Sequence, residues 1–287
     1  MNDNYGKVFR VIRISQNLTL KEVSQGVVSL SYLSKFETGK TNITLSIFLK
    51  LLDKINVKID EFIFFCNNSF YHFNELASQI STAYRETNTS KLCQLQETEK
   101  KLFLATRKKS HQINSIMIAA AIIDLNPSHS IPKKDLKIMS DYLLQIPFWT
   151  SYNLFILSNS HAIISPYLLI TLIQEIRRLD ANKSVEYSCP SELILLLHHA
   201  AITFLRIDEI EQAILAYKYA KKLLKSGFLF EKNRSLFIKG LIIITQGKTY
   251  EGITLATKAI SVLETLEVPL VNRYVIELKK TIEKVKH

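Results

Sequence analysis

Between Ser29 and Asn42 the chain gathers side chains that trade hydrogen bonds with a polar surface. Ser29, Ser31, Tyr32 and Ser34 carry hydroxyls, and Lys35 and Lys40 carry ammonium groups. Thr41 and Asn42 add a further hydroxyl and an amide. Short donors and acceptors of this kind match the edges that base pairs present in the major groove of double-stranded DNA. Ser31, Tyr32 and Lys35 are the candidates for reading bases. Lys7, Arg10, Lys40, Thr41 and Asn42 flank them and suit phosphates, which position a reader without specifying sequence. For each of these residues taken singly, the alternative is a solvated helix face. The apolar residues Leu30, Leu33 and Phe36 recur at a spacing of three, which predicts the buried stripe of a helix capped by Ser29.

A reader helix needs a second helix to hold it. Thr19-Leu20-Lys21-Glu22 has the form of a capping box, in which threonine and glutamate satisfy each other's backbone N–H groups. Leu20 and Val23 give the helix it starts an apolar face, and a turn is expected near Gly26. Short helix, turn and second helix form the layout of a helix-turn-helix motif.

Arg13, Thr19-x-x-Glu22, Ser34-Lys35-Phe36-Glu37-x-Gly39, Leu51-Leu52 and Asp60-Glu61-Phe62 together resemble the five-helix reader domain of phage repressors. More narrowly, LSKFETGKTNITLSIFLKLLDKINVKIDEF is similar to the opening of Rgg/GadR/MutR-type transcriptional regulators of Gram-positive bacteria. A second likeness lies at Phe148-Trp149-x-x-Tyr152-Asn153-Leu154 with Leu157 and Asn159, although that family more usually has an acidic residue where this chain has Asn153. The resemblance implies an all-helical repeat domain behind the reader. It also implies a short hydrophobic peptide as effector, and an ion pair between Arg13 and Glu37 in a structural role.

Composition agrees with an all-α fold. The 287 residues include only 7 glycines and 6 prolines, below the usual share of helix breakers. The net charge of +11 suits a polyanionic partner, but it is spread along the chain. Residues 1–65 hold 9 Lys+Arg and 6 Asp+Glu, a balance of +3, and the other +8 lies beyond them. No signal peptide is visible, because MNDNYGKVFR lacks an apolar core. The longest apolar run, Ile116 to Ile123, is too short to span a bilayer. A cytoplasmic protein with no membrane association is expected. Cys66, Cys93 and Cys189 have no metal-site spacing and are expected to be buried free thiols, with a redox role as the minor alternative.

The expected domains are a helix-turn-helix domain over 1–66 and a repeat domain over 70–287 that senses and dimerises. The second should be built from helices near 70–84, 91–108, 112–125, 133–146, 149–159, 166–180, 191–205, 209–226, 230–246, 249–266 and 270–285. Prolines and Asn/Ser clusters supply the breaks. Aligning Ala213 with Gly252 also aligns Ala220 with Ala259, a shift of 39 residues. Small residues seven apart let paired helices approach closely, a pattern similar to tetratricopeptide repeats with a stretched period. Stacked pairs make an α-solenoid whose inner face suits an extended peptide.

The first helix of each pair, near 112–125, 149–159, 191–205 and 230–246, should line that face. Asn114, Asn153, His199, Asn233 and Arg234 are the candidates for holding peptide backbone, with Trp149 and Tyr152 as apolar walls. The pair His198-His199 sits in an apolar helix with the two rings about 100° apart, so a core or groove role outweighs metal binding. No phosphate-binding glycine loop, nucleophile elbow or paired-carboxylate motif occurs, and no cofactor or metal is expected. The reading is a homodimeric, peptide-controlled regulator of transcription and not an enzyme. The alternatives are the same architecture with redox, metabolite or constitutive control, or an interaction scaffold.

Overall fold

The computed structural model describes residues 5–66, 72–181 and 190–286, and among these residues there are helices and no strands. The chain divides into two compact units, Met1–Glu75 and Leu76–His287.

The first unit holds α1 (Tyr5–Ser15), α2 (Leu20–Ser24), α3 (Leu30–Glu37), α4 (Leu45–Lys54) and α5 (Ile59–Phe65). Three of these helices begin on a side-chain cap. The Thr19–Glu22 capping box opens α2, the Ser29 hydroxyl accepts from Tyr32 N at α3, and the Thr44 hydroxyl accepts from Ile47 N at α4. Each cap satisfies a donor the helix itself leaves open. Phe9, Phe36, Phe48 and Phe62 form an aromatic cluster with centroid spacings of 4.8–6.4 Å. Val23, Leu33, Leu51, Leu52 and Ile55 complete the core around it. The expected stripe on α3 is only partly realised: Leu33 and Phe36 are buried, whereas Leu30, in the first turn, is 50% exposed. Gly6 lets α1 cross α3 at backbone contact, since a Cβ there would fall 1.8 Å from Phe36 O.

The second unit continues with α6 (His72–Arg85), α7 (Thr89–Thr106), α8 (Lys109–Leu125), α9 (Lys133–Leu144), α10 (Ser151–Asn159) and α11 (Pro166–Ala181). It ends with α12 (Pro190–Arg206), α13 (Ile210–Leu223), α14 (Leu229–Thr245), α15 (Thr249–Thr265) and α16 (Val271–Lys286). Sequence patterning places all eleven within about three residues, where described. Pro166 and Pro190 take first helical positions, where a missing N–H costs nothing. The helix expected from 149 starts at Ser151 because Thr150 and Asn153 close a capping box ahead of it. Helices α8, α10, α12, α14 and α16 follow one another side by side, and α7, α9, α11, α13 and α15 pack against them as a second layer.

The 39-residue repeat is visible in backbone detail. Glu209 N–H donates to Phe204 O after α12, and Lys248 N–H donates to Ile243 O after α14, each pair shifted by 39. Asp208 and Gly247, also 39 apart, hold the left-handed conformation that such a helix ending requires, at φ +66° and +87°. Gly240 and Gly252 meet where α14 crosses α15, with a Cβ on Gly252 only 2.5 Å from Gly240 O. Ala213, Ala220 and Ala259 are fully buried, so the small residues sit at helix crossings. Among the cysteines, Cys66 is half-buried, but Cys93 is exposed, on the outer side of α7. Cys189 lies outside the described residues.

Candidate functional site

In the first unit, α2 and α3 are joined by a turn through Gly26 at φ +76°. Lys35 is exposed and, among the described residues, has no hydrogen-bond or ion-pair partner. Ser31, Lys40, Asn42, Arg10 and Lys7 are exposed as well. Tyr32 is half-buried, and its hydroxyl donates to Asn42 O at 3.0 Å, fastening α3 to the following loop. The Thr41 hydroxyl donates to the same carbonyl at 3.3 Å. Ser29 is committed to capping, and Ser34 is half-buried. The face free to touch a groove is therefore Ser31 and Lys35, with Tyr32 shaping it.

Behind this face lies the Arg13–Glu37 pair. Arg13 Nε donates to Glu37 Oε1 at 2.6 Å and Nη2 donates to Oε2 at 2.8 Å, while Nη1 donates to Leu18 O at 2.6 Å. The guanidinium thus ties α1 to the end of α3 and to the chain entering α2. The hydrogen bond from Glu37 raises the Arg13 pKa against the opposing effect of burial.

In the second unit a groove of about 420 Å³ is lined by residues from α6, α8, α10, α12, α14 and α16 and from the segments after α10 and before α16. Its apolar wall comes from Leu195, Ile202, Phe230, Phe237, Val268 and Leu270. At one side Arg273 Nη2 donates to Asp124 Oδ2 at 2.5 Å, Tyr84 Oη donates to the same oxygen, and the Arg273 guanidinium lies 4.6 Å from the Tyr84 ring centroid. Burial alone would push the Asp124 carboxyl up. His161 at 3.7 Å and Arg273 together outweigh burial and hold it well below the usual carboxylate range. Arg273 is the firmer of the two contacts, because 3.7 Å exceeds hydrogen-bond reach. Burial pushes the Tyr84 hydroxyl up, so it stays a donor. Arg206 and Glu277 form a second, two-point pair at 3.0 and 2.7 Å.

Two of the seven residues expected to line a peptide site reach this groove, His199 and Arg234. The other five lie elsewhere, for identifiable reasons. The Asn114 amide donates to the buried Glu99 at 2.9 Å and accepts from Tyr152 Oη at 3.0 Å. Asn153 caps α10 and donates to Tyr142 Oη at 2.8 Å. Trp149 is 2% exposed, within the core. The Asn233 amide donates to Ala259 O at 3.0 Å, bonding α14 to α15. His198 is core: Nε2 lies 2.7 Å from Ser235 Oγ. His199 Nδ1 lies 3.0 Å from Ser158 O, and its ring sits 4.7 Å from that of His161. Burial first, then the charge of Arg234, holds both adjacent histidines well below 6.5 and therefore neutral. Sequence reasoning missed Asp124, Arg206, Arg273, Tyr274 and Glu277. The one local signal was an acid closing the apolar run of α8.

Four polar atoms lining the groove are buried without a hydrogen-bond partner: Thr203 Oγ1, Arg234 Nε, Arg273 Nη1 and Tyr274 Oη. Leaving such a group unmet costs about 1–3 kcal/mol each, so their clustering marks a place prepared for a ligand rather than for packing. Among the described residues no group of His, Cys, Asp and Glu could hold a metal ion, and no helix is long and apolar enough to cross a membrane.

Reader motif and helical repeats together define a helix-turn-helix regulator of transcription with an α-solenoid second unit. Residues 93–275, more than half of the chain, match the family model of the HTH-type transcriptional regulator Rgg, C-terminal domain, and residues 9–62 match a helix-turn-helix model. The chain belongs to the Rgg family of transcriptional regulators. Among solved structures, a candidate transcriptional regulator from Listeria monocytogenes EGD-e is similar at 25% identity over 99% of both chains, with a TM-score of 0.78. The SHP pheromone receptor Rgg2 of Streptococcus dysgalactiae is similar at 25% identity over 96% of this chain and 99% of that one, with a TM-score of 0.77. PlcR of Bacillus thuringiensis, solved with the peptide PapR7 and DNA, shares the fold at 15% identity over 96% and 99% of the two chains, with a TM-score of 0.66.

Proposed function

We propose that this regulator binds double-stranded DNA through residues 1–66 and is controlled by a short hydrophobic peptide held by residues 70–287, as in quorum sensing. The observation that carries the reading is the groove in the second unit, with apolar walls and unmet buried donors. An extended peptide needs both: apolar side chains fill the wall, and desolvated backbone carbonyls need donors. The likeness to Rgg2, a pheromone receptor, supports the same reading. For the peptide to change transcription it must bind one arrangement of the protein better than another. On the DNA side, Ser31 and Lys35 contact bases, and Arg10, Lys7, Lys40 and Asn42 contact phosphates. The protein acts in the cytoplasm as a homodimer, since two readers on neighbouring half-sites gain specificity. Exposed Val262, Leu266 and Ile276 of the C-terminal region offer apolar contact area for a second copy.

The test is fluorescence anisotropy of the DNA upstream of this gene, with and without synthetic peptides encoded by short reading frames beside it. Peptide-dependent change in DNA affinity supports the reading. Binding of DNA that no such peptide alters leaves a regulator with another effector. Light scattering at micromolar concentration should give twice the 33.0 kDa chain mass.

A further inference from the structure

We propose that the groove receives a carboxylate of its ligand at Arg234, Thr203 and Tyr274, and that this carboxylate is the C-terminus of a short apolar peptide. The inference rests on the peptide reading above and goes one step deeper, to which end of the peptide is recognised and by what.

The charges in the groove lead there. Four arginines line it, with two carboxylates, Asp124 and Glu277. Asp124 takes Arg273, and Glu277 takes Arg206. Arg85 is exposed and donates to Ser81 O and the Thr82 hydroxyl. Arg234 is half-buried, with its Nε shielded from solvent and unpartnered, and no carboxylate is within ion-pair distance. A shielded cation without a counter-charge is costly, and a ligand anion would remove the cost. The neighbouring imidazole of His199 is held neutral by burial and by Arg234 itself, so it adds no competing charge.

The remaining donors match one carboxylate. Thr203 stands one helical turn beyond His199 on α12, and Tyr274, 6% exposed, stands beside Arg273 on α16. Their hydroxyls and the Arg234 Nε–H are all unmet. A carboxylate accepts several hydrogen bonds at its two oxygens, and bonds to a guanidinium are the strong, charge-assisted kind. A single uncompensated cation calls for a single negative charge, and Leu195, Ile202, Phe230, Phe237 and Leu270 beside it call for an apolar chain behind that charge. A peptide is favoured over a fatty acid because the groove also presents Asn159, His161 and the Arg206–Glu277 pair, which an alkyl chain would leave desolvated.

The test is calorimetric titration of the full-length protein with four probes. The first is a pool of N-acetylated heptapeptides of Leu, Ile, Val and Phe as free acids. The second is the same pool as C-terminal amides, the third is amides carrying one internal aspartate, and the fourth is decanoate. The free acids should bind about tenfold tighter than the amides, as expected for a charge-assisted bond. Arg234→Gln should abolish that difference while leaving the amides unchanged, and Thr203→Val should reduce it. Aspartate-bearing amides that match the free acids would support the carboxylate site and move its source to a side chain. Equal affinity of acids and amides, or a preference that survives Arg234→Gln, would overturn the proposal and leave the peptide reading standing. Decanoate binding with no peptide binding would overturn the peptide reading and the C-terminal assignment. Binding of no probe would overturn both. The acid–amide comparison on the wild-type chain needs no variant, so a folding defect in Arg234→Gln does not remove the test.

Discussion

Arg13 and Glu37, 24 positions apart, close a two-point ion pair at 2.6 and 2.8 Å in which the side chains are only 8% and 3% exposed. The pair locks α1 against the last residue of α3, the helix that presents Ser31 and Lys35. Removing one member would strand the other's charge, at a cost of about 3–5 kcal/mol. Glu37→Ala should therefore raise hydrogen exchange across residues 5–66 of the full chain. Unchanged protection there would show that the pair has no structural role.

Lys35 and Tyr32 should fail in different ways. Lys35 is exposed with no partner of its own, so Lys35→Ala should leave folding intact and weaken operator binding by about 1–3 kcal/mol. Tyr32→Phe removes only the bond to Asn42 O, worth about 1 kcal/mol, and should loosen the loop carrying Lys40 to Asn42. Anisotropy with operator DNA reads the first effect, and amide exchange over residues 38–44 reads the second. Wild-type affinity in Lys35→Ala would show that the recognition face lies elsewhere.

Gly252 has no room to grow. Its Cβ would fall 2.5 Å from Gly240 O and 2.6 Å from Ile244 Cγ1, so Gly252→Ala has to push α15 away from α14. Such overpacking costs about 1–3 kcal/mol. Urea denaturation of the full chain should show a lower midpoint, and an unmoved midpoint would contradict the close crossing.

His198 and His199 give the stability a pH dependence whose sign follows from their burial. Both are held well below 6.5 in the folded protein, so the unfolded chain binds more protons as pH falls through that value. Their contribution is complete above about 6.5 and is lost below it, by up to about 2 kcal/mol for each histidine at pH 5. The carboxyl of Asp124 is depressed as well, and its contribution is lost only at lower pH, below about 3.9. The thermal midpoint should drop between pH 7.5 and 5.0, and His199→Gln should shrink that drop. A midpoint that is flat over this range would contradict neutral burial of the pair.

The reader motif and the helical order were legible in the chain itself because both are written locally. A capping box spans four residues, a stripe recurs every three or four, and a proline stops a helix where it stands. Thr19 with Glu22, Ser29, Pro166 and Pro190 do in the structure what their spacing predicts. The 39-residue repeat was legible for the same reason, since small residues are needed wherever two helix backbones meet. Leu30 and Cys93 show the limit of local patterning: an apolar type allows burial, but only packing partners bring it about, and neither residue acquired them.

The groove was decided by tertiary structure alone. Asp124 and Arg273 are 149 positions apart, and Arg206 and Glu277 are 71 apart, so no periodicity links them. Helix rotation also decided which polar residues face inward. Asn114, Asn153 and Asn233 have side chains suited to peptide backbone, yet each is occupied by a neighbouring helix or a cap. Arg234, one position beyond Asn233, turns about 100° away around the helix and remains unpartnered in the groove. Sequence therefore determined which helices form and in what order, because those choices are made within a turn or two of chain. Which charges neutralise one another, and which one is left for a ligand, depended on contacts that exist only once the helices are stacked.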